Sequence, residues 1–210
     1  RFSISERTAE PLLKAERPYE DFTLGYGNVL RIGGQWHLWY EAIDHDYKND
    51  GDRYLCYARS ADGVKWERPN LGLYAYRGDR KNNILLYGPA AMGKGGVDGA
   101  CVFLDEQAPA AERFKMVFSS SPGLDGKGPN EWWVYGAVSA DGLRWKMLEQ
   151  PLLKKNSDTH NVCFRDGDRY RMYVRMWSGA MYEGRRQVGY SESKTFGGFA
   201  NPTVILEPEI

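Results

Sequence analysis

Short runs of alternating apolar and polar residues, separated by clusters of Gly, Asp and Asn, fill most of the chain, and almost none of it shows helical spacing. In GNVLRIGGQWHLWYEAID, residues 27–44, two such runs meet at Gly33-Gly34, with Trp36, Leu38 and Tyr40 on one face of the second. This predicts a hairpin, because a two-residue turn needs positive φ angles that glycine adopts without strain. The pair recurs in DGACVFLDEQAPAAERFKMVFSSS, 98–121, with a longer connection. It appears again in HNVCFRDGDRYRMYVRMW, 160–177, turning at Asp166-Gly167.

Each pair leads into a second, different hairpin. It contains YARSADGVKW at 57–66 and GAVSADGLRW at 136–145; the third copy, SKTFGGF at 193–199, keeps the Ser and a later aromatic but loses the Asp. Asp62 and Asp141 are expected to accept hydrogen bonds from their own turn backbones, with Gly63 and Gly142 in the strained positions. Trp66 and Trp145 are expected to fold back over the turns and be largely buried. Four strands per unit, repeated three times, predict an all-β fold: a β-propeller of four-stranded antiparallel blades. A single propeller domain is expected over 1–210, with units at roughly 20–78, 79–154 and 155–210. Three blades do not close a ring, since propellers have about four to eight. The remaining blades are expected from the rest of a longer chain or from another subunit.

Composition narrows the function. Lys plus Arg and Asp plus Glu both number 28, so no basic field argues for nucleic acid. No apolar run approaches the roughly 18 residues of a membrane helix, so no membrane partner is expected. Cys56, Cys101 and Cys163 cannot all pair, and each sits in an apolar run, which predicts buried thiols. The chain starts without an initiator Met and without a leader, and a trimmed or partial chain is expected. Compartment stays open, with secretion or the periplasm preferred over the cytoplasm.

GNVLRIGGQWHLWYEA, YARSADGVKWERPNLGL, DGACVFLDEQAPAAERFKMVF and SDTHNVCFRDGDRYRMYVRMW together resemble the five-bladed propeller glycoside hydrolases. That superfamily holds invertases, levansucrases and arabinanases, and the resemblance is to its bacterial invertase-like members. It covers nearly the whole chain and implies three of five blades, a carbohydrate substrate and a carboxylate-based site at the channel mouth, with no cofactor. It also implies one acidic residue near the first strand of each of the first three blades. Asp98 matches the middle one; the first blade shows Asn28 and the third Asp158.

Propeller geometry selects the remaining candidates. The first two strands of a blade run antiparallel, so the start of one is level with the end of the next. First-strand starts supply Asp98, Asp158 and His160, with Glu20 and Asp21 just upstream in the first unit. Second-strand ends supply Glu41 and Asp44, then Arg175 and Trp177, with Glu183 on the loop beyond. Asp98, Asp158 and Glu41 are the expected catalytic residues, and Glu20, Asp21, Asp44, His160, Arg175, Trp177 and Glu183 the expected substrate-binding ones. Asp98 is expected to stay ionised, Asp158 to handle the proton beside His160, and Glu41 to serve as nucleophile or base. Two such carboxylates should lie about 5–5.5 Å apart for retention or roughly 6.5–9.5 Å for inversion. Asp44, His45 and Asp46 are adjacent on an extended run and point to opposite faces, so no metal is expected. Two other functions stay open: a non-catalytic carbohydrate-binding propeller, and a sialidase-like hydrolase suggested by the Ser-Asp-Gly-Trp turns.

Overall fold

Three four-stranded antiparallel sheets follow one another along the chain in the computed structural model, which describes residues 7–46, 53–87, 96–121, 132–179 and 183–208. The first holds β1 (Thr23–Ile32), β2 (Gln35–Ile43), β3 (Arg53–Ser60) and β4 (Ile84–Tyr87). The second holds β5 (Asp98–Leu104), β6 (Phe114–Ser120), β7 (Trp133–Ser139) and β8 (Lys146–Met147). The third holds β9 (Val162–Asp166), β10 (Arg169–Trp177), β11 (Arg186–Ser193) and β12 (Thr203–Leu206). Spatial order equals chain order in every sheet, and β5 lies against β1 and β2 while β9 lies against β5 and β6. This is the expected run of propeller blades with β1, β5 and β9 innermost. The fourth strand of the first blade lies past residue 78, because residues 61–83 form a long excursion before it. Among the described residues no helix is long and apolar enough to cross a membrane.

The turns form as their residues require. Gly33 and Gly34 take φ angles of 58° and 84° between β1 and β2. Asp62 Oδ1 accepts the N–H groups of Val64 and Lys65 at 2.8 Å, and Asp141 Oδ1 accepts those of Leu143 and Arg144 at 2.8 Å. These donors favour the charged carboxylate and hold Asp62 down at about 2. Trp66 and Trp145 are half-buried rather than largely buried. Their turns sit at the rim of the blades, where one side of each indole meets solvent.

Blade-to-blade packing supplies the core. Trp39, Leu55, Phe114, Met116, Phe118 and Tyr135 fill the space between the first two sheets, and the Trp39 indole donates to the Gly142 carbonyl at 2.7 Å. Cys101, Val117, Val134, Cys163, Met172 and Val174 fill the next space. Fully burying a side chain of this size contributes roughly 1.5–3 kcal/mol. All three cysteines are buried free thiols, as expected. The outward face of the first sheet is covered by the chain's own Leu13, Tyr19, Trp66 and Tyr76, whereas Val162 and Phe164 of the third remain exposed.

Candidate functional site at the channel end

A shared backbone irregularity shapes the starts of the innermost strands. Gly25 pairs with Glu41 and Asn28 with Trp39, leaving two residues on β1 opposite one on β2. Asp98 pairs with Ser119 and Cys101 with Val117, which leaves the same bulge on β5. Gly25, not Asn28, therefore occupies the position of Asp98 in the first blade. Asn28 instead joins two blades. Its side-chain carbonyl accepts the N–H of Val102 at 2.9 Å and ties the first blade to the second.

The carboxylate missing at Gly25 is supplied from across the ladder. Glu41, 5% exposed, points to the second blade, where Gly99 N–H donates to its Oε2 at 3.2 Å. Arg53, at the start of β3, donates from one Nη1 to Glu41 Oε1 at 3.0 Å and to Asp98 Oδ1 at 2.8 Å. Glu41 and Asp98 also hydrogen-bond to each other. Burial first, and the neighbouring Asp98 charge second, push the Glu41 carboxyl up to about 8, while Arg53 pulls the other way. One guanidinium against two carboxyls is neutral with a single shared proton, the charge state that the raised Glu41 pKa favours.

The third blade brings its own ion pair. Arg175 binds both the carboxylate and the backbone carbonyl of Asp158. Beneath them a buried knot holds the segment leading into β9. Asn161 donates to Ser119 Oγ at 2.9 Å and to the carbonyls of Ser157 and Thr159 at 3.2 Å, and Ser157 Oγ accepts the Arg175 N–H at 2.9 Å. His160 stands above this knot, and burial lowers its pKa, which keeps the ring neutral near pH 7. A cavity of about 370 Å³ opens beside it, lined by Thr159, His160, Tyr173, Arg175, Arg186 and Gln187. Trp177 lies between the guanidiniums of Arg175 and Arg186, 5.6 and 5.4 Å from its ring centre.

The two halves meet at Gly99. A side chain there would come within 2.6 Å of the His160 nitrogen and the Thr159 carbonyl, so the second blade's bulge is pressed against the third blade's leading segment. Glu41, Asp98, Asp158, His160 and Arg175 thus occupy one end of the innermost strands. Glu41 and Arg175, each suited to a buried ion pair, bind Arg53 and Asp158 rather than each other. Glu41, expected to serve as nucleophile or base, has a raised pKa because it is buried against a second acid. Glu41 and Asp98 are in hydrogen-bond contact, closer than the separations expected for two opposed glycosidase carboxylates.

Three expected binding residues lie elsewhere. Glu20, 1% exposed, sits under the outward face of the first sheet. It accepts from Tyr40 at 2.6 Å, Arg68 at 2.9 Å and the backbone of Glu16 at 2.9 Å, which uses its oxygens structurally. Asp21 holds the His45 backbone at 2.8 Å, and Asp44 accepts from Tyr76 at 2.8 Å. Asp46 pairs with Arg77, whose guanidinium also lies 3.9 Å from Asp44. Glu183 is exposed on the loop between β10 and β11. Sequence reasoning missed Arg53, Gly99 and Tyr26. Third-strand starts are level with second-strand ends, as the pairing of Ile43 with Arg53 shows, and that rule would have found Arg53.

No sequence-family model matches the chain, and no curated protein matches it by sequence. Solved structures do. The chain superposes on β-1,2-mannobiose phosphorylase from Listeria innocua with a TM-score of 0.65 at 15% identity, covering 97% of this chain and 51% of that one. On the Bombyx mori β-fructofuranosidase the TM-score is 0.58 at 13% identity, over 88% of this chain and 35% of that one. On the Bacillus subtilis arabinanase it is 0.57 at 8% identity, over 89% and 60%. The chain therefore spans about a third to three-fifths of these enzymes, and carries three consecutive blades of the fold shared by the five-bladed propeller glycoside hydrolases.

Proposed function

We propose that the chain forms the catalytic end of a carbohydrate-active propeller that cleaves glycosidic bonds. The observation that carries this reading is the Glu41–Asp98 pair: two buried carboxyls from neighbouring blades, joined by Arg53, with burial and the Asp98 charge raising the Glu41 pKa. Glycosidic cleavage needs an acid to protonate the leaving oxygen, and an acid with a raised pKa meets that need near neutrality. In this reading Glu41 donates the proton and Asp98 keeps it in place by its charge. Asp158, set by Arg175 and the Ser119–Ser157–Asn161 knot, is the second carboxylate. Neutral His160 offers hydrogen bonds to sugar hydroxyls. Similarity to enzymes acting on mannosides, fructosides and arabinans supports the substrate class.

The test is turnover by the intact chain across β-1,2-mannobiose, β-fructofuranosides and arabino-oligosaccharides, followed as a function of pH. A carboxyl with a raised pKa is protonated below that value, so the donor is present below about 8 and lost above it. The rate on the accepted glycoside is expected to fall tenfold per pH unit above about 8. A rate that instead falls above pH 5 removes Glu41 as the acid. Binding of these glycosides without turnover makes the non-catalytic carbohydrate-binding reading the better one.

A further inference from the structure

Tyr26 occupies the bulge position on β1 that Gly99 occupies on β5, between the paired residues Gly25 and Asn28. Its φ is 43° and that of Gly99 is 59°, both in the left-handed region where a side chain is strained and glycine is not. Among the described residues, Arg77 is the other non-glycine residue held at positive φ. Strain of this kind persists where the surroundings require the side chain, and it concentrates at binding and catalytic sites.

The Tyr26 ring lies at the channel end, in the turn of chain that follows the partner of Glu41. It stacks on the ring of His160 from the third blade, with centroids 5.8 Å apart and planes inclined at 27°. Gly99, at the matching bulge of the second blade, is pressed against the backbone that carries His160. Tyr26 keeps 39% of its surface in solvent, and the buried Nδ1 of His160 has no hydrogen-bond partner among the described residues. A flat aromatic face, partly exposed and backed by a second ring, matches the C–H face of a sugar ring.

We propose that Tyr26 is a substrate-positioning residue: its ring, backed by the His160 ring, is the platform on which the sugar beside the Glu41–Asp98 pair lies. The ligand is a neutral pyranose or furanose ring, and the aromatic face, not charge, recognises it. The inference rests on reading Glu41 and Asp98 as the cleavage end of the channel, but it is tested through binding.

The experiment titrates wild type, Tyr26→Phe, Tyr26→Ala and Tyr26→Gly with β-1,2-mannobiose, a β-fructofuranosyl trisaccharide and an arabinotriose by calorimetry, and records thermal unfolding of each protein. One probe is expected to bind wild type and Tyr26→Phe alike, and at least ~10-fold more weakly to the Ala and Gly variants, as loss of a stacking face requires. Tyr26→Gly relieves the backbone, so its melting temperature is expected to stay level or rise. A structural ring would behave in the opposite way. Unchanged binding by Tyr26→Gly, or a clear drop in its melting temperature, overturns the proposal, as does failure of wild type to bind any of the probes. Binding that depends on Tyr26 without turnover sinks the cleavage reading and leaves the platform standing.

Discussion

Replacing Asp98 by Asn, or Glu41 by Gln, is expected to lower turnover of the accepted glycoside by ~10²-fold or more, the usual scale for loss of a positioned proton donor. Glu41→Gln removes the donor itself. Asp98→Asn acts through charge: Glu41 loses the neighbouring anion that helps hold its proton, while Arg53, 3.0 Å away, remains. The Glu41 pKa then falls toward that set by burial and Arg53 alone, which weakens its hold on the proton. Both replacements preserve size and hydrogen-bonding shape, so circular dichroism and melting should show folded proteins. The pH profile separates the two. Residual activity in Asp98→Asn should shift its falling limb to lower pH, whereas in Glu41→Gln that limb should vanish. Near-normal rates in both variants remove the pair from the chemistry.

Gly99→Ala is expected to destabilise the fold by about 3 kcal/mol, combining the left-handed backbone cost with overpacking. The reason is geometric. The new methyl would meet the backbone of Thr159 and His160 at 2.6 Å, and these are main-chain atoms fixed by the Asn161 knot, which cannot rotate aside. For a chain of this length the shift in melting temperature is roughly 6–12 °C. Asp98 precedes this residue and Glu41 accepts its N–H, so any backbone shift also displaces the carboxyl pair. Thermal unfolding checks the first effect. A melting point within about 2 °C of wild type would mean that the second and third blades do not approach as closely as described.

The fold was legible because its information is local and repeated. Gly33-Gly34, Asp166-Gly167 and the two Ser-Ala-Asp-Gly turns each specify a hairpin from neighbouring residues alone, and the copies confirm one another. The carboxylates at strand ends were legible for a related reason: antiparallel pairing sets Glu41 opposite the start of β1, and Asp98 stands at the equivalent start of β5, whatever the side chains do. What escaped was side-chain partnership between residues distant in sequence. Glu20 and Asp44 read as rim acids, yet Glu20 is enclosed by Tyr40 and Arg68, the latter 48 residues away in sequence. Asp44 is taken by Tyr76, 32 residues on. Arg53 is the first residue of β3 and becomes visible only when third-strand starts are counted. Tyr26 looks like one more alternating aromatic, since a bulge leaves no mark in the pattern of apolar and polar residues.

The proposed function requires that the folded chain keep a proton on Glu41 at neutral pH, held there first by burial and second by the Asp98 charge. The most direct measurement is the carboxyl stretch of Glu41, isolated by infrared difference between wild type and Glu41→Gln across pH. The account predicts a protonated band that persists through pH 7 and disappears around pH 8. Because the unfolded chain releases this proton near its ordinary value of 4.5, stability should also fall as pH rises between those limits. In Asp98→Asn the band should disappear at lower pH. A Glu41 band that is already gone by pH 5 in wild type would contradict the shared proton, and with it the assignment of this channel end as the acid of a glycosidase.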